Sequence, residues 1–370
     1  MHDPVRVRVK RQGFTVGVHR TDVNASLKLV AAFVVITACT GCSRAGSSPV
    51  HAVGNVRDVP VTFQNGSATL AGTLFLPDDG HRHPAVVLFH GSGPEPRNSY
   101  MGRWFAGHGV AALAYDKRGV NESTGDFKAV AFTDLSGDGL AAVALLKARA
   151  DINPKQIGVW GLSQGGWLGP LAASQSNDVA FVVAVSGPGV SPGEQMIFYY
   201  GNQLRARGFG GRDVDEAGDL RRKVWHFLST GEGYDGARSA LDRARSQRWF
   251  DALNEQSDGL FGRPTNALLN DPTLRDRPWY RLEVNYDPTV ALRSLAVPAL
   301  FIFGEKDALV PVERSVAIIR RTLTNAGHRA FSIVVFPGAD HRISVSSDGG
   351  RILAPGYLDT IENWLRRTLN

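Results

Sequence analysis

The stretch that most constrains this 370-residue chain is Gly161-Leu162-Ser163-Gln164-Gly165-Gly166. It follows the apolar run Gln156-Ile157-Gly158-Val159-Trp160 and opens a helix-period stretch at 164–176. A serine between strand and helix, with glycine two places before and two after, implies a turn too tight for flanking side chains. Such a turn holds the serine oxygen above the end of the strand, beside the positive end of the following helix. The motif therefore calls for a layered α/β chain with a strand ending at an open sheet edge.

The rest of the sequence supplies that sheet. Continuous apolar runs, as expected of strands buried on both faces, occur at Pro84–Phe89, Val110–Tyr115, Gln156–Gly161, Ala180–Ser186, Ala299–Phe303 and Phe331–Phe336. Helix-period stretches at about 98–108, 131–150, 164–176, 312–326 and 356–369 alternate with them. Alternation of this kind predicts a mostly parallel sheet flanked by helices. Val56–Phe63 and Ala68–Leu76 read as an antiparallel pair ahead of it, closed by the turn Pro77-Asp78-Asp79-Gly80. Residues 190–290 break the rhythm, with helical spacing and no comparable strand. Loops between neighbouring elements usually take about 2–6 residues, so this segment reads as an inserted helical cap. Within it, Gly231-Glu232-Gly233-Tyr234-Asp235-Gly236 has the letters of a dinucleotide loop but follows a helical stretch, so that reading fails.

Formal charge is +6, but residues 1–42 hold six basic side chains against Asp3 and Asp22, so most of the excess is N-terminal. Once that segment is set aside no basic stripe remains, which argues against a nucleic-acid partner. The basic start leads into the apolar run Leu29–Ile36 and then small residues, the pattern of an export leader over 1–42, with a tether at 43–53. The run is shorter than the roughly 20 apolar residues that span a bilayer. Ile36-Thr37-Ala38-Cys39 resembles the bacterial lipobox, with Cys42 as the competing site. That resemblance implies a lipid-anchored protein of the bacterial cell envelope or periplasm, with the envelope membrane as a partner. These two cysteines are the whole complement, so thiolate nucleophiles and cysteine metal sites are excluded from the rest of the chain.

His90-Gly91-Ser92-Gly93-Pro94, Tyr115-Asp116-Lys117-Arg118-Gly119, Gly161–Gly165, Gly304-Glu305-Lys306-Asp307 and Gly338-Ala339-Asp340-His341 together carry a family resemblance. The chain resembles the α/β-hydrolase superfamily, among bacterial serine hydrolases of the prolyl-oligopeptidase and dienelactone-hydrolase branches. The likeness covers about 56–189 and 291–370 and implies a catalytic domain at 54–189 and 291–370, with the cap at 190–290 between. In such enzymes nucleophile, acid and histidine follow in that order along the chain. The resemblance places the nucleophile at Ser163 and the histidine at His341, which lies just past the last strand. It places the acid at Asp307, since Gly304, Asp307, Val310 and Pro311 match the family's G-x-x-D-x-x-V-P; Glu305 and Asp340 are the neighbouring carboxylates. The oxyanion donors are then the backbone N–H groups of Gln164 and Ser92, with Gly93 as fallback. His90 is expected to organise its loop, and Asp116 with Arg118 to form a structural ion pair. Asn121 stands where the family commonly has glycine.

These parts imply serine attack and an acyl-enzyme on a small-molecule ester or other acyl substrate, with no cofactor and no metal. Carboxylic esters lead, because no propeller precedes the catalytic region. Peptidase, acyltransferase and thioesterase chemistry use the same triad, and a noncatalytic envelope-binding protein on this scaffold is the contrasting class. The cap aromatics Trp225, Phe227, Tyr234, Trp249, Phe250, Phe261, Trp279 and Tyr280 either wall an acyl pocket or pack the cap; for most of them packing is expected.

Overall fold

A computed structural model describes residues 55–255 and 263–370. The expected leader at 1–42, Cys39, Cys42, the tether at 43–53 and Phe261 lie outside the described residues.

Eight strands form one sheet: β1 (Val56–Asn65), β2 (Ala68–Pro77), β3 (His83–Phe89), β4 (Ala111–Tyr115), β5 (Ile152–Leu162), β6 (Val182–Val185), β7 (Ala299–Gly304) and β8 (Phe331–Phe336). Their spatial order is β1-β2-β4-β3-β5-β6-β7-β8. β1 pairs with β2, and β2 with β4, in antiparallel fashion; every other neighbouring pair is parallel. β5 begins earlier than its apolar run, because Ile152 also pairs with His83 across an irregular step in the register.

Helices cover both faces: α1 (Ser99–Gly107), α2 (Phe132–Lys147), α3 (Gly165–Gln175), and after the cap α11 (Val312–Asn325) and α12 (Tyr357–Thr368). Alternate strand residues point to opposite faces, and the core divides accordingly. Val87 and Phe89 pack with Val143 of α2, Leu168 of α3 and Leu323 of α11. Val86 and Leu88 pack with Phe105 of α1 and Ile361 of α12. Each such fully buried aliphatic side chain contributes about 1.5–3 kcal/mol, so the apolar strand runs follow from having helices on both sides.

Between β6 and β7 the described chain is helical: α4 (Pro192–Ala206), α5 (Gly211–Thr230), α6 (Tyr234–Ala244), α7 (Arg248–Glu255), α8 (Thr265–Leu269), α9 (Pro272–Arg275), a π-helical turn (Trp279–Glu283) and α10 (Pro288–Arg293). Leu220, Leu228, Leu241, Leu253 and Leu268 give most of this segment a core of its own, which also takes in Phe227, Trp249 and Phe250. Gly231 ends α5 and Gly233 precedes α6, both left-handed, so the dinucleotide-like glycines are helix punctuation. The cap is fastened beside β7. Gln195 Nε2 and Asn202 Nδ2 of α4 donate to the carbonyls of Leu309 (2.6 Å) and Ala308 (2.9 Å).

One sequence expectation is corrected. Asp116 and Arg118 do not pair with each other. Asp116 accepts from the Arg97 backbone N–H (2.8 Å) and from Arg97 Nη2 (2.6 Å). Arg118 lies against Asp138 of α2, with Nε 2.8 Å from Oδ2. Neighbours along the chain suggested one pair, but folding brings a partner to Asp116 from the loop ahead of α1 and to Arg118 from α2. A hairpin after His341, β9 (Ser344–Ser347) with β10 (Gly350–Leu353), was also not expected. The buried Arg118–Asp138 pair yields a prediction. Asp138→Ala leaves a buried guanidinium without its carboxylate and should cost about 3–5 kcal/mol, read by urea unfolding.

Candidate active site

The parallel register brings the C-terminal ends of the strands to one edge. Phe89 of β3 sits beside Gly161 of β5, Leu162 beside Val185 of β6, and Gly304 of β7 beside Phe336 of β8. The loops beginning at His90, Ser163, Ser186, Glu305 and Pro337 therefore leave the sheet side by side, the usual place for a site in an open α/β sheet.

The β5–α3 turn is as tight as its glycines imply. Ser163 has φ 57°, in the left-handed region that costs a non-glycine residue about 1–3 kcal/mol. A Cβ on Gly161 would lie 2.3 Å from the Gly165 carbonyl oxygen, and one on Gly166 would lie 2.3 Å from Gly187 Cα. The Ser163 N–H donates to the Val185 carbonyl (2.8 Å), and the Ser163 carbonyl accepts from Gly166 (2.8 Å). Ser186, next in chain, donates its hydroxyl to the His341 carbonyl (2.8 Å). The end of β6 thus anchors both the Ser163 turn and the His341 loop.

His341 Nδ1 lies 2.7 Å from Asp307 Oδ2. The other oxygen, Oδ1, accepts the backbone N–H groups of Leu309 (2.8 Å) and Val310 (2.9 Å). An ionised carboxylate only accepts, so this contact assigns the imidazole proton to Nδ1 and leaves Nε2 as the basic nitrogen. Two further backbone bonds lock the loops together: Glu305 N–H to the Phe336 carbonyl (2.9 Å) and Lys306 N–H to the Ala339 carbonyl (2.7 Å). The rival carboxylates are occupied elsewhere. Glu305 accepts from the Gly338 N–H (2.8 Å), while Asp340 accepts from the N–H groups of Arg342 (3.0 Å) and Ser344 (2.9 Å) and pairs with Arg351.

A cavity of about 410 Å³ lies between sheet edge and cap. Ser92, Gly93 and Gln164 line its floor, and Tyr200, Trp225 and Trp279 belong to its cap side. Among the described residues, the backbone N–H groups of Ser92 and Gln164 donate to no other group. Of the cap aromatics, Trp225, Trp279 and Tyr280 reach the cavity, whereas Phe227, Trp249 and Phe250 serve the cap core. His90 organises its loop, with Nε2 2.6 Å from the Tyr115 carbonyl; burial pushes its pKa down to about 4. Asn121 is left-handed at φ 48° and reaches Asp116 (3.2 Å), so asparagine meets the demand usually met by glycine.

Sequence reasoning missed three buried charged groups, two lining this cavity and one behind its floor. Arg221 is buried, with its guanidinium 3.6 Å above the Tyr200 ring, and burial lowers its pKa to about 10. Glu283 ends the π-helical turn at the cavity wall; burial raises its pKa to about 7, opposed by the charge of Lys117. Lys117 itself is buried behind the Ser92 loop. Lys117 stands in the Tyr115–Gly119 motif with no role assigned to it there, and only the cap's position relative to the sheet brings Arg221 and Glu283 here.

The family model described as "Alpha/beta hydrolase family" matches residues 86–354. Esterase EstD of Thermotoga maritima is 25% identical over 302 residues, which is 78% of this chain and 62% of EstD, so the chain spans less than two thirds of that relative. The crystal structure of the alpha/beta hydrolase GrgF from Penicillium superposes with a TM-score of 0.51 at 20% identity, covering 85% of this chain and 99% of GrgF. Acetyl xylan esterase 1 from Thermoanaerobacterium gives 0.50 at 15% identity, covering 85% and 84%. The two structural likenesses concern the fold.

The turn generates a prediction. Gly161→Ala forces β5 and α3 apart and should cost about 1–3 kcal/mol in urea unfolding, as overpacking does.

Proposed function

The chain belongs to the alpha/beta hydrolase family, and from that premise we propose that it is a serine esterase in which Ser163, His341 and Asp307 act as a triad. The observation that carries this reading is the 2.7 Å contact of His341 Nδ1 with Asp307 Oδ2, at the same sheet edge as the left-handed Ser163.

Ser163 Oγ attacks the ester carbonyl as His341 Nε2 takes its proton, with Asp307 holding the imidazole tautomer and stabilising the imidazolium. The carbonyl oxygen becomes an oxyanion facing the N–H groups of Ser92 and Gln164. His341 then returns the proton to the departing alkoxide, leaving an acyl-enzyme. Water, activated by the same histidine, completes the turnover. Two features support a small ester: the cavity is about 410 Å³, and aromatic side chains wall its cap side. The name of EstD agrees with an ester substrate.

Ser163→Ala and His341→Ala should each lower kcat on a p-nitrophenyl ester by at least about 10⁴-fold, and Asp307→Asn by about 10⁴-fold, while circular dichroism is unchanged. Near wild-type turnover by Ser163→Ala or His341→Ala would overturn the assignment. Turnover of dipeptide or thioester substrates in preference to esters would move the reading to a peptidase or acyl transferase on the same residues.

Export and lipid anchoring at Cys39, with Cys42 as alternative, complete the proposal; the basic leader and Ile36-Thr37-Ala38-Cys39 support it. Mass spectrometry of the mature N-terminus should find a diacylated cysteine, and an unmodified N-terminus would exclude the anchor.

A further inference from the structure

Lys117 is 2% exposed and, among the described residues, forms no ion pair with a carboxylate. A buried ammonium without a close counter-ion is costly, so its hydrogen bonds matter. There are two. Nζ donates to the Gly91 carbonyl (2.8 Å) and to Gln164 Oε1 (2.7 Å). It also lies 4.9 Å from the centre of the Phe127 ring.

Both acceptors belong to the oxyanion apparatus. The Gly91 carbonyl and the Ser92 N–H are opposite ends of one planar trans peptide, so fixing the oxygen fixes the direction of the N–H. Glu95 Oε2 accepts the Gly91 N–H (2.7 Å), so the loop is held on both sides of Gly91. Gln164 supplies the second N–H, and its side chain is held by the same ammonium. We infer that Lys117 is a positioning residue for the oxyanion hole, one buried ammonium orienting the Ser92 and Gln164 N–H groups together. Its charge also polarises the Gly91–Ser92 peptide toward an anion at the N–H end, an effect enhanced where water is excluded. This inference rests on the serine-hydrolase reading above.

Charge strengthens the arrangement, because both bonds are charge-assisted. Burial pulls the Lys117 pKa down to about 8, opposed by the carboxylates of Glu95 from the Ser92 loop, Glu283 from the cap and Asp138 from α2. His90, on the other side of that loop, is kept neutral by burial. The ammonium therefore predominates below about 8 and is lost as pH rises through that value. Activity should fall across the same range.

The test compares wild type, Lys117→Met, Lys117→Arg and Ser163→Ala on p-nitrophenyl acetate from pH 6 to 9, with thermal melts alongside. Removing one oxyanion donor costs about 10²–10³-fold in kcat, so Lys117→Met, which disorients two, should lose on the order of 10²-fold in kcat. KM should stay within about threefold, because the donors engage charge that develops in the transition state. Wild type should show a decline near pH 8 that Lys117→Met lacks, and Lys117→Arg, charged throughout, should retain more kcat than Lys117→Met. A folded Lys117→Met within twofold of wild-type kcat overturns the inference, as does a decline near pH 8 that survives in Lys117→Met. If Lys117→Met does not fold, the wild-type profile decides: absence of the decline counts against Lys117. Activity retained by Ser163→Ala would instead overturn the serine reading, so the two failures are separable.

Discussion

The site hangs from the turn between β5 and α3. Only glycine at 161 lets the strand end approach the Gly165 carbonyl, and the turn so formed places Ser163 in the left-handed region. Strain of about 1–3 kcal/mol at a serine persists because its surroundings over-determine it. Here they include the Val185 carbonyl that holds the Ser163 N–H, the packing of Gly166 against Gly187, and a central strand paired on both sides. From that fixed point, parallel register delivers the neighbouring loops to the same edge without further specification.

A layer of buried polar groups then sets how those loops sit. Consecutive residues at the end of β4 act in three directions: Asp116 holds Arg97, Lys117 holds the Ser92 loop, and Arg118 holds Asp138 of α2. Each interaction crosses between elements, so together they fasten the edge of the sheet to the helices around it. The cap joins this scheme on the opposite side, through the Ala308 and Leu309 carbonyls next to Asp307. Displacement of the cap would thus bear on the acid loop as well as on the cavity.

What was legible in the sequence was whatever depends on local pattern. Runs such as Pro84–Phe89 and Phe331–Phe336 carry a signature of burial on both faces, and the glycines around Ser163 carry the signature of a close approach. The family resemblance pointed to His341 through chain order and a loop just past a strand, and to Asp307 through the pattern at Gly304, Asp307, Val310 and Pro311; the two side chains lie 2.7 Å apart. The partners of Asp116 and Arg118 were not legible, because one comes from the loop ahead of α1 and the other from α2, and only folding brings them to the end of β4. The buried positions of Lys117 and Glu283 were hidden for a related reason. A lysine and a glutamate in polar stretches look solvated until a neighbouring loop or the cap buries them.

The central claim is that Ser163 is the nucleophile of this edge. Reaction of the intact protein with a fluorophosphonate, followed by peptide mass spectrometry, tests it most directly. The account predicts a single adduct on the peptide containing Ser163, formed before denaturation and absent after it. An adduct on another serine, or none on folded protein that hydrolyses esters, would contradict it.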